Sequence, residues 1–255
     1  TPRHEWLLAE APDFAVWRTL LHFGLPVMVA TIAGFASRRG DNLLVSRYYG
    51  PAVLGLYNLA YNLAEIPAMQ ITDMVTDSLA PSFARLEQRQ RQRAITDILA
   101  ALCFVVFPLA VGLGLVAPTL GQLIDRRWAG VADYLVVLSV LSISRPAAMV
   151  ALVYLQALRK PTAAAVLYSA QVVVLLGSLF LVGHYYPTRP ILGCYAVGLT
   201  FTLSAALSIG VLRRLDGVPI WPVLRGHLVP LPPVAMMAVA VLGATRVLGP
   251  VWLGR

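Results

Sequence analysis

The chain reads as an all-α membrane protein, a polytopic bundle of about seven transmembrane helices, on three grounds. Its residues are 58% hydrophobic and 13% charged, against about 45–50% and about 25% in soluble domains. A core of 255 residues cannot hide that excess, so much of it must face lipid. The apolar runs also approach or exceed the roughly 20 residues that a helix needs to cross hydrocarbon. They are too uniformly apolar for barrel strands, and open strands in lipid would leave backbone groups without partners.

Taken in order, the runs place spans at about 18–48, 52–80, 94–117, 131–157, 162–183, 189–212 and 228–248. Residues 1–17 form a cytoplasmic or interfacial lead-in, and 249–255 an extracytoplasmic tail. A chain starting at Thr1 with no signal-peptide layout is expected to be a fragment or a processed product. With the N-terminus inside, eleven basic loop residues are cytoplasmic and six are external, which the positive-inside rule favours. The stretch "SFARLEQRQRQR" carries most of that bias.

The formal charge is +8, and nineteen of the twenty basic residues are Arg. None forms a cluster interleaved with aromatics, so no nucleic-acid partner is expected; such charge sets topology or meets anionic membrane lipid. Cys103 and Cys194 sit in separate apolar runs as small buried hydrophobes. His22, just inside the first span, is expected to pack. Pro26, Pro67, Pro108 and Pro146 recur within spans, where each serves packing or bends a helix beside a central site.

The stretch "GFASRRGDNLLVSRYYG" (34–50) decides where the first span ends. Trp17–Arg18 and Tyr48–Tyr49 suit the two interfaces, and a helix between them is about 45 Å long. On that placement Arg38, Arg39 and Asp41 lie inside the bilayer, at a cost of roughly 2.5–3.5 kcal/mol each at its centre. Arg38 and Asp41, three apart, partly neutralise each other. Arg39 either pairs with Glu65 or Asp73 across helices or lines a wet cavity that holds an anion. Arg is the side chain best shaped for phosphate.

In the second span Tyr57, Tyr61 and Glu65 follow every four residues, with Asn58 and Asn62 alongside. Tyr and Asn on one broad face suit sugar hydroxyls, and equally helix packing. Asp73 binds a coupling cation or pairs internally, and Asp77 pairs with Arg85. Arg145, beside Pro146, is a further intramembrane cation with no adjacent acid. No nucleophile–base set, nucleotide loop or metal-ligand cluster is legible, so neither an enzyme nor a resident cofactor is expected.

The segments "DNLLVSRYYGPAVLGLYNLAYNLAEIP", "LAPSFARLEQ" and "LIDRRWAGVADYLVVLSV" resemble the polysaccharide-transporter branch of the oligosaccharide flippases. That branch belongs to the superfamily that also holds the multidrug (MATE) exporters. Carrying the resemblance are Asp41, the Gly50…Gly55-x-Tyr57-x-x-Ala60 spacing, Pro81, Phe83 and Trp128; Asp125 stands where the family has a glycine. It extends over roughly residues 18–212 and matches the C-terminal lobe of a MATE-like, two-lobed transporter.

The resemblance implies flipping of undecaprenyl-pyrophosphate-linked oligosaccharide across the bacterial inner membrane, for exopolysaccharide or O-antigen biosynthesis. Alternating access, driven by an H+ or Na+ gradient, is the implied mechanism. It also implies a partner: the missing N-terminal lobe or a second copy. The alternatives are a MATE-like cation or drug antiporter, a membrane-embedded glycan-assembly enzyme, and a lobe with a scaffolding role only.

Overall fold

The computed structural model describes residues 14–123, 128 and 130–252. Asp125, Arg126, Arg127, the lead-in before residue 14 and residues 253–255 lie outside the described residues. The regular elements are α1 (Phe14–Arg85), α2 (Gln88–Leu123), α3 (Val131–Leu141), a 3-10 turn at Ser142–Ser144, α4 (Arg145–Ala157), α5 (Pro161–Tyr185), α6 (Ile191–Asp216), α7 (Ile220–Leu228) and α8 (Leu231–Trp252). No strand occurs among the described residues. Five helical stretches are long and apolar enough to cross a membrane, and the bent pair α3–α4 makes a sixth.

A straight α1 of 72 residues would extend about 108 Å. It does not run straight. Gly50 has φ 83° and ψ 171°, a backbone region essentially reserved for glycine, and Pro51 follows with a φ already suited to a first helical turn. Tyr57 hydrogen-bonds Asp41, although sixteen residues of continuous helix would hold them about 24 Å apart. The chain therefore folds back at Gly50 into two arms, 14–49 and 51–85.

Packing agrees with that reversal. Along the first arm, Ser37, Gly40 and Tyr48 meet Gln171, Leu176 and Phe180 in turn, so this arm runs parallel to α5. Along the second arm, Glu65 meets Arg145 and Phe83 meets Tyr154, so that arm runs parallel to α4. α5 returns antiparallel to α4 through the short turn at 158–160. Small residues permit the closest approaches: a Cβ on Gly183 would overlap the Tyr48 ring, and one on Gly198 the Leu141 side chain.

The helix continues through 34–49, so Arg38, Arg39 and Asp41 all lie on the first arm. Pro26, Pro67 and Pro108 lie within helices that continue past them, whereas Pro146 opens α4 just after the 3-10 turn. Both cysteines are buried and free. His22 is exposed, because it falls on the outer face of the first arm.

The interior has two apolar clusters. One gathers Val45, Tyr57, Leu135, Leu175, Cys194 and Val197; the other gathers Phe83, Ile95, Leu99, Val150, Tyr154 and Leu212. Along the second arm, α5 and α6, the buried polar residues Glu65, Gln171 and Ser204 fall between members of the two clusters, and Arg145 and Ser37 are buried in contact with Glu65 and Gln171.

At the far end of the second cluster a clamp joins α2, α4 and α6. The carboxylate of Asp216 accepts from Arg91 Nε at 3.1 Å and Nη2 at 2.9 Å, and from the Tyr154 hydroxyl. Its backbone oxygen accepts from Gln88 Nε2 at 2.9 Å and Gln92 Nε2 at 2.5 Å. Gly217, with φ 71°, ends α6 in the left-handed conformation and sends its N–H to Arg213.

Gly50→Ala is expected to destabilise the chain by about 1–3 kcal/mol through backbone strain at the reversal. Thermal unfolding in detergent measures it, and a melting temperature equal to wild type would show that the reversal does not depend on the glycine.

Candidate functional site

The first arm brings Asp41 against the second arm with only 1% of its surface exposed. Tyr57 donates its hydroxyl proton to Asp41 Oδ2 at 2.5 Å, and the backbone N–H of Asn42 donates to Oδ1 at 2.9 Å. Asp41 thus has one partner across the reversal, Tyr57, and one beside it, Asn42, and neither is Arg38. Its short side chain, on the buried stripe with Ala33, Ser37 and Val45, turns toward Tyr57; Arg38 lies at the edge of that stripe and is exposed.

One and two turns beyond Tyr57 come Tyr61 and Glu65. Glu65 forms an ion pair with Arg145 of α4; the two are 7% and 6% exposed. Arg145 therefore has an acid beside it, contrary to the expectation from its neighbours in sequence, because that acid comes from the second arm. Its guanidinium lies 4.8 Å from the Tyr61 ring centroid and 3.5 Å from that of Phe201 on α6, so aromatic faces add to the stabilisation of the cation.

The void beside this pair measures about 10 Å³, the space of a single water. Deeper in the same layer Gln171 donates to Ser37 at 2.7 Å and accepts from Ser204 at 2.5 Å, which links the first arm, α5 and α6.

Arg38, Arg39 and Asn62 are exposed, and Asn58 and Asp73 are half-buried. Neither Arg38 nor Arg39 forms an ion pair among the described residues: Glu65 is held by Arg145, and Asp73 makes no ion pair. Asp77 and Arg85 are exposed and not paired either, since eight residues of one helix separate them by about 12 Å. Asn62, Asp73 and Asp77, spaced eleven and four, share one side of the second arm.

The ten candidates thus fall into two sets. Asp41, Tyr57, Tyr61, Glu65 and Arg145 meet one another inside the bundle; Arg38, Arg39, Asn58, Asn62 and Asp73 do not join them. Sequence reading missed Ser37, Gln171, Ser204 and the Asp216 clamp. Only an isolated polar residue within each apolar run signals them, and nothing in sequence pairs residues that stand 33 to 134 positions apart.

Helices of this length and apolarity, joined by an ion pair and hydrogen bonds inside their bundle, define a polytopic helical membrane protein. Residues 3–133 match the family described as Polysaccharide biosynthesis protein, and the chain belongs to that family. It is similar to the teichuronic acid biosynthesis protein TuaB of Bacillus subtilis (strain 168), at 27% identity over 56% of this chain and 30% of that one. The lipopolysaccharide biosynthesis protein WzxC of Escherichia coli (strain K12) is 27% identical over 49% of this chain and 26% of its own. The succinoglycan biosynthesis transport protein ExoT of Rhizobium meliloti (strain 1021) is 26% identical over 43% and 23%. The matched stretch spans less than a third of each relative's length. No solved structure matches the chain.

Breaking the buried pair by Glu65→Ala or Arg145→Ala is expected to cost about 3–5 kcal/mol, whereas replacing both partners by apolar residues is expected to recover most of that loss. Thermal unfolding of the two single variants and E65M/R145L in detergent reads the difference. A double variant no more stable than either single one would remove the pair from its structural role.

Proposed function

We propose that the chain is one lobe of a flippase that moves undecaprenyl-pyrophosphate-linked oligosaccharide across the bacterial inner membrane by alternating access. The proposed topology has seven crossings and a cytoplasmic N-terminus; the opposing wall of the passage is a second lobe or a second copy. Support for the cargo class comes from the relatives, whose names speak of lipopolysaccharide, teichuronic acid and succinoglycan.

The observation that carries the proposal is two exposed guanidiniums, Arg38 and Arg39, on a membrane helix. Arg38 lies about 18 Å along the helix from the reversal at Gly50. Exposed surface at that depth faces either lipid or a wet passage, and charged side chains are strongly disfavoured toward lipid. An anionic pyrophosphate is a fitting counter-charge, because guanidinium groups hold phosphate oxygens by paired hydrogen bonds.

Asn58 and Asn62 offer amide donors and acceptors to sugar hydroxyls, while the polyprenyl tail stays in the bilayer. Asp73, half-buried on the same arm, is the proposed binding point for a coupling H+ or Na+. The step is a movement in which no covalent bond is made or broken.

Arg38→Ala together with Arg39→Ala is expected to lower glycan export on the order of tenfold, the worth of one charge-assisted hydrogen bond to phosphate. Surface glycan is quantified in a strain lacking the chromosomal copy, with membrane protein level as control. Export at wild-type level, from protein present at wild-type level, would overturn the assignment of both arginines.

A further inference from the structure

The basic end of the bundle carries a groove whose lining includes none of the candidate residues above. α2 opens on "QRQRQR", in which Arg91 turns inward to Asp216. Arg89 and Arg93, one helical turn apart, are left on the outer side, exposed and without ion pairs among the described residues. With Gln92 and Asp97 they face Pro219 and Pro222, across a groove of about 460 Å³.

A second groove, of about 600 Å³, adjoins it at Pro219 and is lined by Arg213, Trp221 and Leu224. α7 is held there by its inner face. Val223 and Gly226 are buried, and a Cβ on Gly226 would come within 2.9 Å of the Ala100 Cβ. The outer face of α7 shows Trp221, 70% exposed, then Leu224 and Leu228, spaced along one side.

α2 has 36 residues, or about 54 Å of helix, so its first turns extend beyond the ~30 Å of hydrocarbon. Arg89 and Arg93 therefore lie at headgroup level. Trp221 suits the same level, where indole rings concentrate, and Leu224 and Leu228 lead from it toward the hydrocarbon. We infer that this groove binds an anionic phospholipid, its phosphodiester between Arg89 and Arg93 and an acyl chain along Leu224 and Leu228.

Charge balance selects the headgroup. Along the two adjoining grooves Arg89, Arg93 and Arg213 stand against one carboxylate, Asp97, which leaves a net positive charge of two. An anionic headgroup, a phosphodiester carrying a neutral polar group, offsets part of that charge; a zwitterionic headgroup brings no net charge to it. A soluble phosphate ester shares the anionic chemistry but gains nothing from the apolar flank of α7.

Native mass spectrometry of the 255-residue chain released from detergent tests this, with phosphatidylglycerol, phosphatidylethanolamine and phosphatidylcholine titrated separately. One phosphatidylglycerol is expected to bind on the order of tenfold more tightly than either zwitterionic lipid, as two surface arginines imply. R89Q/R93Q abolishes that preference. R85Q/R214Q, which removes the same charge from the same end, leaves it within about twofold, and D97N strengthens it.

Equal losses in the two double variants would reduce the groove to diffuse surface charge and overturn the inference. So would no preference among the three lipids, weaker phosphatidylglycerol binding in D97N, or full displacement of the lipid by millimolar glycerol phosphate. None of these outcomes depends on the glycan cargo.

Discussion

An ion buried among membrane helices must be answered by another group of the protein, because neither lipid nor bulk water reaches it. In this bundle that requirement falls on Arg145, and Glu65 meets it. The pairing fixes more than two side chains. With Glu65 turned toward α4, Tyr57 and Tyr61, eight and four residues earlier, must lie on the inner side of the same arm. Tyr57 then reaches Asp41, which settles how the two arms lie against each other. Asn62, one residue past Tyr61, is turned outward by the same rotation. The outer polar side of the second arm is thus the geometric complement of the inner pairing.

Polar groups at this depth divide the labour. Several of those inside find partners on other helices or on the other arm: Asp41 with Tyr57, Glu65 with Arg145, Gln171 with Ser37 and Ser204. Specific hydrogen bonds join helices there without a gain in hydrophobic burial. Arg38 and Arg39, by contrast, form no ion pair among the described residues. Both are exposed, so their charge is directed away from the bundle interior.

The basic end follows the same economy of one inward and several outward charges. Arginines alternate along the first turns of α2, and a helix sends residues two apart to nearly opposite sides. Asp216 therefore takes Arg91 and leaves its two neighbours outside. Three helices are held together by one carboxylate and one backbone oxygen, while the surface keeps its positive charge.

Composition and run length were enough to read an all-helical membrane bundle, because lipid permits few ways to satisfy a backbone. The resemblance around Asp41, Gly50, Gly55 and Tyr57 pointed to the family that residues 3–133 match. The candidate site was legible as a set of residue types at membrane depth, since each charge there is conspicuous against apolar neighbours. Which of them pair was not legible: Glu65 and Arg145 stand eighty positions apart, and helical periodicity relates only residues within a few turns. The partners of Asp41 and Arg145, the Ser37–Gln171–Ser204 link and the Asp216 clamp were decided by how the arms and helices rotate against one another. That rotation depends on packing among all of them at once, which is why it belongs to the tertiary structure and not to any single stretch of chain.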